Sequence, residues 1–136
     1  MVSFDARLPG TAAADWLGDP RFAAMPVFSL TGVDRMIVVA AHPDDETLGA
    51  GALIASARAR GIPTSVIVVT DGAASHPGSP SVAAAALAAT RAAEVQAALH
   101  LLNPDATLTL LGFPDGRVRE NRTAIAAALR PLLSST

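Results

Sequence analysis

The sequence predicts an α/β fold: a mostly parallel, Rossmann-like sheet with helices on both faces. Three observations predict it. Short, apolar, β-branched runs of strand length recur along the chain, and helix-forming segments separate them. This alternation is that of βαβ units, whose crossovers make neighbouring strands parallel. The composition, 51% hydrophobic and 16% charged, belongs to a chain that folds, and 136 residues fit one domain with a single modest core.

Residues 1–34 show no clear period. Pro9, Gly10, Pro20 and Pro26 punctuate them. They read as a lead segment packing over the domain, with a short helix near Thr11–Leu17 and Trp16 and Phe22 as apolar anchors. The domain itself is expected over residues 35–136. Arg35–Ala41 (RMIVVAA) is a first strand, apolar enough to be buried on both faces. Glu46–Arg60 is a helix closed by Gly61, with Pro63 beyond. Thr64–Thr70 (TSVIVVT) is a second strand, and Asp71–Pro80 a Gly/Ser/Pro loop. Ser81–Leu102 is a long Ala-rich helix. Ala106–Leu111 (ATLTLL) is a third strand, Gly112–Gly116 (GFPDG) a turn, and Thr123–Leu133 a third helix. At that point the rhythm calls for a fourth strand, so the sheet is expected to be unfinished, with an open edge that invites pairing.

Composition also excludes chemistries. All ten basic residues are Arg, so a lysine Schiff base and a Walker-type lysine are ruled out. With no Cys, disulfides, thiol nucleophiles and thiolate metal sites are ruled out too. A net charge of -2 gives no reason to expect a nucleic acid partner. No run of eighteen apolar residues reads as a membrane span, and the N-terminus does not read as a signal peptide, which leaves cytoplasmic as the expected location. Gly49-Ala50-Gly51 opens like a dinucleotide fingerprint, but Ile54 stands where the third glycine belongs. Those glycines read as close helix–sheet packing instead.

In open parallel sheets ligands bind outside the carboxyl ends of the strands. The polar residues just past each strand should therefore converge: His42, Asp44 and Asp45 after the first, Asp71 after the second, Asp115 after the third. The densest run is Ala41-His42-Pro43-Asp44-Asp45-Glu46. An imidazole and a carboxylate three positions apart, on a tight turn leaving a strand, can grip one cation, and zinc accepts both donor types. Pro43 restricts that turn. With His42 and Asp45 as ligands, Asp44 faces the reacting water as general base. The plainer alternative is that Asp44 or Asp45 caps the following helix.

The run VVAAHPDDETLGAGALIASARARG resembles the LmbE-like and PIG-L-like de-N-acetylases. Three further segments match in order: VVTDG (Val68–Gly72), RAAEVQAAL (Arg91–Leu99) and LGFPDG (Leu111–Gly116). The resemblance covers residues 35–133, about three-quarters of the chain. It implies an LmbE-like fold and zinc-dependent removal of an N-acyl group from an amino sugar or its conjugate. Carried over residue by residue, it implies His42 and Asp45 as Zn2+ ligands and Asp44 as general base, with Arg91 and Asp115 touching substrate. Members of the family carry a third ligand, a His in a later motif beyond the last segment matched here. Residues 35–136 thus correspond to the N-terminal part of such a domain, and a homo-oligomer or a companion segment is an expected partner.

Other residues carry two readings. His76, in the loop after the second strand, is a solvent-exposed histidine or a substrate contact. His100 suits the C-terminal end of its helix. Arg91 and Glu94 fall on one stripe with Leu87, Ala98 and Leu101, either as a buried ion pair or with Glu94 orienting Arg91. Asp71 is an Asp-Gly turn or a hydrogen-bond partner of His42. Two rival functions follow: a non-catalytic fragment or binding module of the same fold, and a nucleotide-binding module, which the failed glycine pattern and the missing lysine disfavour.

Overall fold

The computed structural model describes residues 9–75 and 83–134. The chain divides into two compact units, Met1–Thr31 and Gly32–Thr136. The first holds two short helices, α1 (Ala13–Leu17) and α2 (Pro20–Ala23). Asp19 caps α2 by accepting the Arg21 N–H at 2.8 Å, and the Arg21 guanidinium beside it holds its carboxyl below the usual range. Neither helix buries a residue, and Trp16 and Phe22, expected as anchors, are more than half exposed.

The second unit is a three-stranded parallel sheet of β1 (Met36–Ala40), β2 (Thr64–Thr70) and β3 (Thr107–Phe113), in that spatial order. β2 lies in the middle, and that is why a run of five β-branched or hydroxyl residues, Val66 to Thr70, is buried without a break. Alternate residues of β2 serve opposite faces. Val66 and Val68 join Ala40, Ile54 of α3 (Asp45–Ala59), and Val95 and Leu99 of α4 (Ala84–Leu102) in the main core. Ile67 and Val69 point the other way and are also buried. α5 (Val118–Ser134) packs against β3, and Leu133 near its end accepts a hydrogen bond from Arg35 at 3.3 Å, beside the start of β1. Burying each of the Val, Leu and Ile side chains of the core stabilises the fold by roughly 1.5–3 kcal/mol.

Some boundaries differ from expectation. β3 continues two residues past Leu111. Gly112 adopts φ 66° where the β2–β3 register shifts, so the glycine marks an irregularity inside the strand and not its end. α5 begins at Val118, five residues before Thr123, because the polar first turn hides its periodicity. The stripe expected on α4 is rotated: Val95 and Leu99 are buried, whereas Leu101 is 79% exposed. The glycines expected to allow close helix–sheet packing do not do so: a Cβ at Gly51 would make an ordinary 3.5 Å contact with Leu102 of α4, and Gly49 faces open space.

Candidate active site

The turn between β1 and α3 is built from both sides. Thr70, buried at the end of β2, sends its N–H and its hydroxyl to the Ala41 carbonyl, at 3.0 and 2.8 Å. That fixes the residue before His42 to the centre of the sheet. Pro43 is buried and Asp44 takes φ 121°, ψ -30°. For a residue with a side chain this backbone costs of order 1–3 kcal/mol, and such strain persists where surroundings over-determine it.

The surroundings of Asp44 do so. Its N–H donates to Glu46 Oε2 at 3.1 Å, and its carbonyl accepts the Thr47 and Leu48 N–H groups that begin α3. Glu46 is 1% exposed; its other oxygen accepts the Thr47 hydroxyl at 2.6 Å. A carboxylate so deep is tolerable in the first turn of a helix, where the dipole favours negative charge. The Asp44 side chain makes no capping bond. Its Oδ2 meets Arg91 Nη2 at 2.7 Å. The capping alternative therefore fails for Asp44: the residue stands at the N-cap position and spends its carboxylate elsewhere.

Arg91 reaches across from α4. Besides Asp44, it donates to the Pro43 carbonyl at 2.7 Å and the Gly72 carbonyl at 3.2 Å. Gly72 has φ 65°, and a Cβ there would lie 2.9 Å from Pro43 and 3.1 Å from Arg91, so only glycine lets the three groups close up. Glu94 is exposed and does not hold Arg91; both line an open cleft with Asp44 and Val95. Both readings of an Arg91–Glu94 pair are thus replaced by Arg91–Asp44. The reason is geometric: the β1–α3 turn offers Arg91 two acceptors and the loop after β2 a third.

His42 lies between two carboxylates. Nδ1 is 3.3 Å from Asp45 Oδ2, and that oxygen also accepts the His42 N–H at 3.0 Å. Nε2 is 3.0 Å from Asp115 Oδ1. Asp71 does not touch His42; its Oδ1 accepts the N–H groups of Ala73 and Asp115 at 3.0 and 3.1 Å. Asp71 is thus the turn residue of one reading, and the partner of the histidine ring is Asp115. His100 is exposed in the last turn of α4, as its helix-end reading expects. His76 lies outside the described residues.

The structure thus brings His42, Asp44, Asp45, Arg91 and Asp115 to one edge of the sheet. Glu46, Thr70 and Gly72 belong with them, though their types alone gave no signal of it. The spacing of His42 and Asp45 is compatible with two ligands of one zinc ion: donor bonds of about 2.0–2.1 Å at tetrahedral angles put two ligand atoms about 3.3–3.4 Å apart, and Nδ1 and Oδ2 are 3.3 Å apart. Among the described residues no group of three or more His, Cys, Asp or Glu is placed to hold a metal ion. Nor is any helix among them long and apolar enough to cross a membrane.

Comparison with known proteins bears on the family and the fold. The family model described as PIG-L: GlcNAc-PI de-N-acetylase matches residues 37–136. The 1D-myo-inositol 2-acetamido-2-deoxy-alpha-D-glucopyranoside deacetylase of Nocardia farcinica is 48% identical over 42 residues, 31% of this chain and 14% of that protein. Among solved structures, the N,N'-diacetylchitobiose deacetylase of Pyrococcus horikoshii superposes with a TM-score of 0.63 at 25% identity, over 75% of this chain and 39% of that one. The conserved protein TT1542 of Thermus thermophilus gives 0.53 at 39% identity, over 71% and 41%. The chain therefore spans a minor part of the length of each of these proteins.

Proposed function

The chain belongs to the PIG-L: GlcNAc-PI de-N-acetylase family, and on that premise we propose that it carries the water-activating part of a zinc-dependent hydrolase that removes an N-acyl group from an amino sugar or its conjugate. The observation that carries the reading is the placement of Asp44. Its carboxylate is held by Arg91, in the same β1–α3 turn that carries the His42–Asp45 pair, on a strained backbone that capping does not explain.

His42 and Asp45 would hold the ion, which when bound polarises the amide carbonyl and eases deprotonation of water. Asp44 takes a proton from water as the water oxygen bonds to the acyl carbon. The tetrahedral intermediate then collapses: the C–N bond breaks, the proton held by Asp44 passes to the leaving nitrogen, and a carboxylic acid and a free amine result. Arg91 leaves Asp44 Oδ1 available while fixing Oδ2, so the base is aimed without being consumed. Arg91 and Asp115 stand close enough to this edge to contact the sugar as well.

A second reading has its own support: no third donor stands with His42 and Asp45 among the described residues. In that case the chain is a non-catalytic module of the same fold. One experiment separates the two. The purified chain is supplied with zinc, its metal content is measured, and release of acetate from N-acetylglucosaminyl substrates is followed for wild type and Asp44→Ala. Turnover lost in Asp44→Ala with zinc retained supports the hydrolase. A chain that neither retains zinc nor releases acetate supports the module.

A further inference from the structure

We propose that Asp115 is the positioning carboxylate of His42: it fixes the imidazole in the tautomer that turns the Nδ1 lone pair towards Asp45. The proposal rests on the metal-dependent reading above and assigns Asp115 a role beyond contact with substrate.

Three observations carry it. The ring is held end to end, with Asp45 on Nδ1 at 3.3 Å and Asp115 on Nε2 at 3.0 Å. The two carboxylates differ in setting. The Asp115 side chain is 9% exposed, whereas that of Asp45 is half exposed. Asp115 is also built in before any ligand arrives. Its Oδ1 accepts the Gly116 N–H at 2.7 Å, its Oδ2 accepts the Ala74 N–H at 3.1 Å, and its own N–H is held by Asp71.

The chemistry follows from the proton count. A neutral imidazole has one N–H and one lone pair, and an ionised carboxylate only accepts. A carboxylate faces each ring nitrogen, so either neutral form sets one lone pair against an oxygen. The closer, better shielded and backbone-anchored oxygen, that of Asp115, is the costlier one to oppose, and this selects the Nε2–H form. The remaining lone pair, on Nδ1, then faces the same space as the Asp45 oxygen. Metal-binding histidines generally depend on such a partner on the far nitrogen, and losing it weakens metal affinity about 10–100-fold. Asp71 acts one step further out, by holding the backbone of Asp115.

The test uses the whole chain. Long-range 15N–1H correlation on the metal-free protein, at a pH where the ring is neutral, reports the His42 tautomer directly. The expected result is Nε2–H in wild type. In Asp115→Asn the side-chain amide can donate to Nε2, so the proton should move to Nδ1, and zinc affinity by chelator competition should fall about 10–100-fold. Nδ1–H in the wild type overturns the proposal without any variant. So does an Asp115→Asn protein that folds, keeps the wild-type tautomer and binds zinc within twofold of wild type. A wild-type chain that holds no zinc, yet shows a tautomer that depends on Asp115, supports the positioning role and sinks only the metal-dependent reading.

Discussion

Arg91 Nη2 lies 2.7 Å from Asp44 Oδ2, joining the middle of α4 to the turn that begins α3. The same guanidinium holds two backbone carbonyls, so it ties three chain segments together with one planar group. Arg91→Ala would leave the carbonyls of Pro43 and Gly72 without this donor. We expect a loss of about 1–3 kcal/mol in urea unfolding. Arg91→Lys should recover only a minority of that, because an ammonium cannot match the fork. Full recovery by lysine would show that charge alone holds the turn.

Gly72 offers a sharper test of the same corner. Both Gly72 and Gly61 have positive φ, but a Cβ at Gly61 meets nothing within 4 Å, while one at Gly72 runs into Pro43 and Arg91. Gly61→Ala therefore reports the backbone cost alone, about 1 kcal/mol or somewhat more. Gly72→Ala should cost clearly more than Gly61→Ala in the same denaturant titration, the excess being the displacement of Arg91. Equal losses would mean that the close approach is not stabilising.

Most of the fold is legible in the chain because its signals are strong. Three β-branched runs and the Gly61 stop point to a parallel sheet, and the rule for carboxyl edges then collects His42, Asp44, Asp45 and Asp115. What the residues do not reveal is pairing. Arg91 has Glu94 one turn away in sequence, yet its partners come from the β1–α3 turn and the loop after β2, which only the folded sheet brings near. The same holds for Asp71 and Asp115: each is plausible turn chemistry, and only the strand offset places Asp115 on the ring of His42. α4 hides its faces because alanine carries little amphipathic contrast.

That last point is testable by two leucines on one helix. Leu99 is 4% exposed and Leu101 79%. Leu99→Ala should cost about 2–5 kcal/mol, as a large-to-small change in a packed core. Leu101→Ala should stay within about 0.5 kcal/mol of wild type. Reversed sensitivities would restore the stripe expected from helical spacing and would require α4 to be rotated on the sheet.

Asp44 combines a candidate base with a backbone that disfavours any side chain, and the two properties can be separated by two substitutions. Asp44→Ala and Asp44→Gly both remove the carboxylate and its bond to Arg91. They differ in the φ of 121°, which glycine accepts and alanine does not. Asp44→Gly should therefore be the more stable of the two by about 1–3 kcal/mol in urea unfolding. Both should lose acetate release equally wherever the wild type shows it, since neither can take a proton from water. A stability gap with matched loss of turnover would mean that the turn keeps a side chain in a costly conformation because the reaction needs one there. No gap would mean that the backbone relaxes once the carboxylate is gone, and that the bonds from Arg91 and Glu46 create the conformation instead of merely tolerating it.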